Sequence, residues 1–267
     1  MKRLGLIAGN GKFPILVAES ARDKDIDIIA IAFKEETSRK LEDLVDRIYW
    51  IGIGELSKLF KIFESENINQ AVMAGQIKPL HLFNPWIRKD ATMRTFLNKT
   101  RDRRGDSLLK SIADELDRRG VKLLDSSFLL TSSLAQKGIL TKSSIDKKDW
   151  QDIEFGRNIA KKLASLSIGQ TVIVKDKAVV AVEAIEGTDA TIRRGFRLAK
   201  EGCIVVKVSR QKHDMRFDIP VVGLKTLKVL KKCRVKALAI EAQKTLLIDK
   251  NKFLKGANKL GISVVGI

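Results

Sequence analysis

Three carboxylates follow one apolar segment, and their spacing is the clearest sign of chemistry in the sequence. Residues 179–182 are all apolar and predict a buried strand, after which Glu183, Glu186 and Asp189 come at intervals of three. Gly187 gives the backbone the freedom for a sharp turn among them. The cluster favours a bound metal ion, a phosphate group or both. The structural alternative is a solvated acidic turn that caps a helix.

The helix predicted after this turn carries cations near its start. Thr188 or Asp189 is placed to cap it, and Arg193 and Arg194 lie in its first turns. Because the amino-terminal end of the helix dipole is positive, these two cations would gain from an anionic partner. The stretch therefore predicts an anion-binding site beside the carboxylates.

A second acidic loop, residues 211–223, lies between two apolar segments. Asp218 is flanked by Phe217 and Pro220, whose apolar side chains would desolvate its carboxylate. Arg216 is two residues away and is suited to bind a phosphate in bidentate fashion. We expect Asp218 to be the chemical centre of the site.

The carboxylates of both loops, together with Glu241, follow predicted strands and are expected at one sheet edge. Hard oxygen ligands suit Mg²⁺ or Mn²⁺, which bind through a few carboxylates, water and substrate phosphates. The expected metal ligands are Asp218, Glu183 and Glu186. A purely structural explanation would need each carboxylate to cap a helix or to pair with a lysine.

Seven segments together resemble the LpxI-type UDP-2,3-diacylglucosamine pyrophosphatases of lipid A biosynthesis, and they span essentially the whole chain. They are Glu183-Ala-Ile-Glu-Gly-Thr-Asp189, Asp214-Met-Arg-Phe-Asp-Ile-Pro220, Ala8-Gly-Asn-Gly-Lys-Phe-Pro14, Ala74-Gly-Gln-Ile-Lys-Pro79, Gly105-Asp-Ser-Leu-Leu109, Gly169-Gln170 and Ala239-Ile-Glu-Ala242. His213 stands where the family pattern has Gln, and Gln211 where it has Pro.

The resemblance implies a metal-dependent hydrolase that cleaves the pyrophosphate of UDP-2,3-diacylglucosamine to 2,3-diacylglucosamine 1-phosphate and UMP, with water attacking the β-phosphorus. The expected catalytic residues are Asp218, Glu183 and Asp189. The expected substrate contacts are Gly9, Asn10, Gly11, Phe13, Pro14, Gly75, Gln76, Thr188, Arg193, Lys207, Arg216 and Thr245. The expected cofactor is Mg²⁺, with Mn²⁺ as the alternative.

The composition is that of a soluble globular protein with a strong attraction to anions. The formal net charge is +19, from 51 Lys and Arg against 32 Asp and Glu. Aromatic residues make up only 6% and no nucleic-acid-binding motif is present, which argues against a nucleic-acid partner. The remaining candidates for an anionic partner are phosphorylated substrates and an anionic membrane surface. We therefore expect a cytoplasmic protein that is peripherally associated with the inner membrane.

Neither the cysteines nor the amino terminus adds a site or an anchor. Cys203 and Cys233 lack the spacing of a zinc site and predict buried thiols in a reducing compartment. The amino terminus runs directly into a short strand, without an apolar stretch of the length of a signal peptide or spanning helix.

The first half of the chain alternates strands with helices and predicts a Rossmann-like parallel-sheet domain over residues 1–133. Its first strand leads into Gly9-Asn-Gly-Lys-Phe-Pro14, a glycine loop before a helix. The loop has the pattern GxGxxP and lacks the Gly-Lys-Ser/Thr of a Walker loop, which excludes NAD and ATP. Residues 75–78 follow a second strand, so both loops should meet at one sheet edge and offer backbone N–H groups to the nucleotide.

Residues 134–267 predict a catalytic α/β domain with a mixed sheet, because Thr171–Val174 and residues 178–184 form a hairpin that delivers Glu183. Residues 245–248 are expected to form a hairpin with the strand at residues 237–241. We expect an interdomain linker within residues 125–148, and the active-site cleft between the two domains.

Two other functions compete with the pyrophosphatase. One is another sugar-nucleotide phosphohydrolase or transferase that uses the same metal cleft, and the other is a basic nucleic-acid-binding protein. His81 is expected at the surface, whereas a ligand or proton-transfer role is conceivable for His213. The sequence leaves the acyl-chain length and the quaternary state open, a homodimer included.

Overall fold

The structure is a computed structural model that describes residues 2–78, 90–99, 105–210 and 214–267. His81, His213 and residues 101–104, three of which are arginines, lie outside the described residues. The chain divides into two compact units, which are described separately below. Unit 1 contains residues 1–130 and Met215–Phe217, and unit 2 contains the remaining residues, Thr131–Asp214 and Asp218–Ile267.

Unit 1 alternates strands and helices along the chain. Its elements are β1 (Arg3–Ala8), α1 (Phe13–Arg22), β2 (Asp27–Phe33), a 3-10 helix (Arg39–Leu44), β3 (Arg47–Ile51), α2 (Leu56–Ser65), β4 (Gln70–Ala74), α3 (Ala91–Lys99), α4 (Gly105–Arg118) and β5 (Lys122–Leu123). The segment between β2 and β3 is a 3-10 helix instead of an α-helix. Its N-cap is Ser38, whose hydroxyl accepts a hydrogen bond from the backbone N–H of Lys40.

The five strands of unit 1 form a parallel sheet in the order β3-β2-β1-β4-β5, which confirms the predicted parallel α/β class. Ala8 at the end of β1 is in register with Ala32 of β2 and Ala74 of β4. The strand order reverses direction between β1 and β4. Ligands of such sheets bind where the order reverses, at the carboxyl ends of the strands, which is where the loops after Ala8 and Ala74 lie.

A short segment from a later part of the sequence packs against the core of unit 1. Phe63, Phe96 and Leu116 of α2, α3 and α4 belong to one apolar cluster, against which Phe217 packs. Ser126 donates a backbone hydrogen bond to the carbonyl of Met215 (2.9 Å) and a hydroxyl hydrogen bond to that of Arg216 (2.6 Å). These contacts explain why Met215–Phe217 belong to unit 1, whereas the sequence placed them in the second domain.

Unit 2 contains strands in both directions. Its elements are a 3-10 helix (Thr131–Ser133), β6 (Gly138–Ile139), α5 (Lys147–Ser165), β7 (Thr171–Lys175), β8 (Ala178–Val182), α6 (Thr188–Ala199), β9 (Ile204–Lys207), β10 (Val221–Val222), α7 (Leu224–Lys232), β11 (Ala237–Ile240), β12 (Leu246–Leu247), α8 (Lys250–Lys259) and β13 (Ser263–Gly266). The predicted hairpin is confirmed, because β7 and β8 pair antiparallel.

The main sheet of unit 2 has the order β6-β13-β11-β9-β7-β8, and it is mixed as predicted. β13, β11 and β9 are parallel, whereas β6 and β7 run antiparallel to their neighbours. Side chains alternate between two apolar clusters, one on each face. One cluster contains residues of α6, α7 and α8, and the other contains residues of α5. Three helices therefore cover one face and α5 covers the other.

The predicted hairpin between residues 237–241 and 245–248 is wrong. After Glu241 the chain turns, with the N–H of Thr245 donating to the carbonyl of Glu241 (3.1 Å). Leu246 then donates to the carbonyl of Pro220 (2.9 Å), so β12 pairs in parallel with β10 in a separate two-stranded sheet. The turn directs the segment away from β11, whose two sides are already paired with β9 and β13.

None of the helices in the described parts of the chain combines the length and the apolar character needed to cross a membrane.

Candidate active site

The candidate site lies at the edge of the unit 2 sheet where β9 and β8 end and β7 begins. Thr171 at the start of β7 is in register with Lys207 at the end of β9, and Val182 at the end of β8 is in register with Val172. Gly169 is required at this edge, because a Cβ atom there would lie 2.0 Å from the carbonyl oxygen of Glu183. The antiparallel hairpin thus brings Glu183 beside the residues that precede β7.

Gln170 connects two of the predicted catalytic carboxylates. Its backbone N–H donates to Oε2 of Glu183 (3.3 Å), and its side-chain Nε2 donates to Oδ1 of Asp218 (3.2 Å). The structure therefore brings Glu183 and Asp218 to one residue, although they lie in separate loops of the chain. The sequence showed Gln170 only as part of a family segment, without a role.

Lys207 supplies a buried positive charge beside this pair. Its Nζ donates to Oγ1 of Thr188 (2.7 Å), which donates in turn to Oε1 of Glu183 (2.8 Å). Lys207 is only 7% exposed and forms no ion pair within the described part of the chain. Because a buried ammonium group without a counter-ion is costly, this position suits an anionic group of a ligand.

Arg210 adds a second cation, which the sequence analysis missed. Its Nε lies 3.8 Å from Oδ2 of Asp218, and its side chain is partly exposed. Arg210 lies just beyond β9, after Ser209. Lys207, which was a predicted substrate contact, is the last residue of the same strand. The sheet-edge argument that the sequence analysis applied to the carboxylates applies equally to Arg210, because it also follows a strand.

Glu186 and Asp189 are held away from the Gln170 link by other partners. Glu186 forms an ion pair with Arg194 (2.6 Å), and burial, which opposes ionisation, is outweighed by this cation, so the pKa of Glu186 lies below its ordinary value. Asp189 accepts a hydrogen bond from Thr226 of α7 (3.1 Å). Their predicted metal-binding and catalytic roles stay predictions.

The predicted cap of α6 is wrong. The helix begins at Thr188, and its N-cap is Gly187, which has no side chain to donate or accept. The hydroxyl of Thr188 is occupied by Glu183 and Lys207 instead of the helix backbone.

Glu241 is a buried carboxylate with a full set of partners. It accepts hydrogen bonds from Lys161 (2.6 Å), from the backbone N–H of Ser209 (2.7 Å) and from the hydroxyl of Ser209 (2.7 Å), and it pairs with Lys244 (3.1 Å). Burial raises the pKa of Glu241, but these partners outweigh it and lower the pKa to about 2. Glu241 therefore joins the ends of β9 and β11 and positions the segment that leads to Arg210.

In unit 1 the loops after β1 and β4 touch through their backbones. The N–H of Asn10 donates to the carbonyl of Gln76 (2.8 Å), and that of Gly9 donates to Ala74 (2.8 Å). A Cβ on Gly75, where φ is +89°, would lie 2.5 Å from the carbonyl oxygen of Asn10. The expectation that the N–H groups of Gly9 and Asn10 are offered to a nucleotide is therefore wrong, because both are already bonded.

Glu36 organises this edge and was also missed. Its side chain is 1% exposed. The carboxylate accepts hydrogen bonds from Nδ2 of Asn10 (2.7 Å) and from the backbone N–H of Lys78 (2.9 Å). It also lies 3.8 Å from the ammonium group of Lys78. Glu36 follows β2, whose carboxyl end lies at the same edge as those of β1 and β4. The parallel-sheet argument used for Gly9 and Gly75 applies equally to it.

The other predicted substrate contacts are distributed over both units. Phe13 and Pro14 are buried at the start of α1, and Gly11 and Gln76 are exposed. Arg216 pairs with Asp117 (3.3 Å) within unit 1. In unit 2, Arg193 is exposed on α6, and Thr245 is fully buried with a hydroxyl that has no hydrogen-bond partner among the residues that the structure describes.

The carboxylates fit a metal only in part. Within the described ranges, no three His, Cys, Asp or Glu side chains are grouped closely enough to hold a metal ion. Glu183 and Asp218, joined through Gln170, still offer the one or two carboxylates through which Mg²⁺ binds when substrate phosphates and water complete its coordination.

These features define a two-domain α/β protein whose mixed sheet carries carboxylates, an amide, a buried lysine and a partly exposed arginine at one edge. The LpxI N-terminal domain matches residues 3–133 and the LpxI C-terminal domain matches residues 136–265. The chain belongs to the LpxI family.

A named relative of the chain is the UDP-2,3-diacylglucosamine pyrophosphatase LpxI of Caulobacter vibrioides. It is 27% identical over 280 aligned positions, which cover 100% of this chain and 98% of the relative. The resemblance therefore extends over both domains, in agreement with the seven segments found in the sequence.

Two solved structures show distant similarity to the chain. The biotin carboxylase domain of a Hydrogenobacter thermophilus 2-oxoglutarate carboxylase is 10% identical with a TM-score of 0.29, covering 73% of this chain and 41% of that one. A Rhizobium etli pyruvate carboxylase is 13% identical with a TM-score of 0.29, covering 71% and 15%. The chain spans less than half of either protein, and these scores carry no argument.

Proposed function

We propose that this protein hydrolyses the pyrophosphate bond of UDP-2,3-diacylglucosamine, in lipid A biosynthesis, to 2,3-diacylglucosamine 1-phosphate and UMP. Family membership and the full-length relation to the Caulobacter pyrophosphatase support the substrate. The observation that carries the chemistry is Gln170, which links Glu183 and Asp218 beside the ammonium group of Lys207. A carboxylate pair next to a cation without a counter-ion suits hydrolysis at an anionic phosphoryl group.

The substrate is an anion at the reacting centre, and the cations of this edge stabilise it. Lys207 binds a phosphoryl oxygen from its buried position, and Arg210 lies beside Asp218. Charge that develops on the phosphoryl oxygens is thus met by groups that are already in place.

Asp218 is the base in this mechanism. It is partly exposed, whereas Glu183 is buried and both of its oxygens accept hydrogen bonds. Asp218 takes a proton from water as the water oxygen bonds to the β-phosphorus. The bond from that phosphorus to the bridging oxygen then breaks, and the bridging oxygen leaves with UMP. Gln170 holds Asp218 in place, and Glu183 holds Thr188.

A divalent cation, Mg²⁺ or Mn²⁺, is part of the proposal. Asp218 and Glu183 are the side chains that would hold the cation, and Glu186 is the third predicted ligand. The cation would neutralise negative charge on the phosphoryl groups. We further propose that the protein is cytoplasmic and meets its acylated substrate at the inner membrane. The homodimer and the cleft between the domains stay predictions.

Hydrolysis in water enriched in heavy oxygen tests the reaction. Attack at the β-phosphorus places the label in 2,3-diacylglucosamine 1-phosphate and leaves UMP unlabelled. Label in UMP would overturn the site of attack, and unlabelled products, with the sugar passed to another acceptor, would make the protein a transferase. A panel of UDP-sugars with and without acyl chains checks the substrate, and UDP-2,3-diacylglucosamine is expected to be turned over fastest.

A further inference from the structure

Two neighbouring helices of unit 2 hold an unusual concentration of positive charge. α7 and α8 each contain four lysines, and neither contains Asp or Glu, so together they carry a formal charge of +8. Lys250 is occupied at the start of α8, where it donates to the carbonyls of Ser132 (2.8 Å) and Leu134 (3.0 Å). The other seven are all exposed: Lys225, Lys228, Lys231, Lys232, Lys252, Lys255 and Lys259. Below they are called the lysine face.

The lysine face lies on the outer side of two packed helices of unit 2. α7 packs against α8, and Leu227, Leu230, Phe253 and Ala257 bury the inner sides of the two helices in one apolar cluster. Because residues three and four apart share a helix face, the lysines between these apolar positions lie on the outer side. The two helices thus present adjoining lysine rows to solvent.

No carboxylate offsets this charge within the part of the chain that the structure describes. None of the seven lysines is in an ion pair, whereas some exposed cations elsewhere in the chain have acidic partners nearby. Arg118 and Arg119 pair with Glu115, and Lys148 pairs with Asp176. The lysine face therefore concentrates seven exposed lysines on two neighbouring helices of unit 2, without a carboxylate partner among the described residues.

We propose that the lysine face docks the protein on an anionic lipid surface. This inference rests on the proposed function, which requires the protein to take up a substrate with two acyl chains. Lysines close to an anionic membrane each raise binding by roughly fivefold, and their apolar stems reach the interface while the ammonium groups stay hydrated. The exposed Leu260 at the end of α8 adds an apolar contact. The aromatic residue of the two helices, Phe253, is buried, so the face offers no stacking platform for nucleic-acid bases.

Two variants with the same change in charge test the location. The face variant carries Lys225→Gln, Lys228→Gln, Lys252→Gln and Lys255→Gln. The control variant carries Lys34→Gln, Lys40→Gln, Lys61→Gln and Lys122→Gln, which are exposed lysines of unit 1 without an ion pair. Each lowers the net charge by four. Co-sedimentation measures binding to vesicles of phosphatidylglycerol and phosphatidylcholine, and to phosphatidylcholine alone, at low and high salt.

The face variant is expected to bind the anionic vesicles roughly 600-fold more weakly than wild type, about fivefold for each of its four lysines, whereas the control loses much less. Equal losses would show that total charge acts instead of this face, and no loss in the face variant would overturn the proposal. Salt-resistant binding to vesicles would also contradict it, since exposed charges are screened within roughly 10 Å. Tight binding to double-stranded RNA that only the face variant loses, without vesicle binding, would assign the face to nucleic acid.

Turnover of substrate in neutral detergent micelles separates this inference from the proposed function. Both variants are expected to match wild type there, because none of the substituted lysines lies at the candidate site. Vesicle binding by a wild-type protein that hydrolyses no substrate would refute the proposed function alone. Normal turnover without vesicle binding would refute the lysine face alone.

Discussion

The two units each carry a candidate ligand edge, and the two edges are built from different groups. In unit 1 the edge consists of backbone: Gly9 and Gly75 bring two loops into direct contact, and the buried Glu36 fixes the side chain of Asn10. In unit 2 the edge consists of charged and amide side chains centred on Gln170 and Lys207. The structure of the unit 1 edge requires that no side chain fill the space where its loops touch. The structure of the unit 2 edge depends on the charges of its side chains. Substitutions that alter one property at a time should therefore separate them.

Removal of the Asp218 carboxylate is expected to have the largest effect. Asp218→Ala and Asp218→Asn should lower kcat by roughly 10²–10⁴-fold, because a base and metal ligand is lost, while substrate binding persists through other groups. Steady-state kinetics and substrate retention on the variant measure this. Urea unfolding serves as the control and should change little. An active Asp218→Ala protein, or one that does not fold, would remove Asp218 from the chemical centre.

Glu241→Gln is expected to lower stability rather than chemistry. The folded pKa of about 2 lies below the ordinary 4.5, so ionised Glu241 stabilises the folded state above pH 4.5, and this stabilisation is lost as the pH falls towards 2. The variant should be less stable by about 3 kcal/mol at neutral pH. Urea unfolding across the pH range measures the difference, which should shrink below pH 4.5. A pH-independent difference would contradict the ionic origin.

Lys207 and Lys161 provide a matched pair of buried or partly buried lysines in the same unit. Lys207→Met should reduce kcat/KM by about 10²-fold without lowering stability, since no carboxylate loses its partner. Lys161→Met should instead destabilise the protein by about 3 kcal/mol, because Glu241 keeps its charge and loses a counter-ion. Activity assays and unfolding curves on both variants measure the contrast. Destabilisation of Lys207→Met to the extent of Lys161→Met would show that Lys207 is structural.

Gly75→Ala tests the backbone edge of unit 1. It should destabilise the protein by about 2 kcal/mol, since its Cβ would meet the carbonyl of Asn10 at a positive φ. Gly11→Ala is the control, because φ is also positive there (+87°) but no atom lies within 4 Å of the added Cβ. The control should lose only about 1 kcal/mol. Equal losses in thermal unfolding would mean that the contact between the loops is not tight.

Gln170→Ala is expected to have the smallest effect. Both carboxylates remain, but they lose the residue that orients them, so kcat should fall roughly tenfold with KM nearly unchanged. The metal concentration needed for half-maximal rate should rise as well, a change that a purely structural role would not produce. Gln151→Ala on the exposed side of α5 is the control and should behave as wild type. A raised KM with normal kcat would place Gln170 in substrate binding instead.

The sequence predicts local features well where a short-range pattern decides them. The hairpin around residues 176–177 follows from two apolar runs and a polar turn, and α7 begins and ends where its periodicity does. The roles of Gln170 and Glu36 depend on which strands become neighbours, because their partners lie 13 to 48 positions away in unit 2 and 26 to 42 in unit 1. The wrong prediction of a hairpin that includes Leu246 has the same cause. Its strand character is visible in the sequence, whereas its pairing with Val221 depends on the tertiary fold.

The assignment of Met215–Phe217 to unit 1 bears on how the chain acquires its structure during synthesis. Unit 1 ends locally at Leu130, yet its last three residues follow only after residues 131–214, which belong to unit 2. A nascent chain therefore makes most of the second unit before the first has received Phe217, the side chain that packs against its core. Maturation of the amino-terminal unit is thereby tied to translation of the carboxyl-terminal one. A chain truncated after Leu130 should consequently unfold at a lower temperature than unit 1 does within the full-length protein.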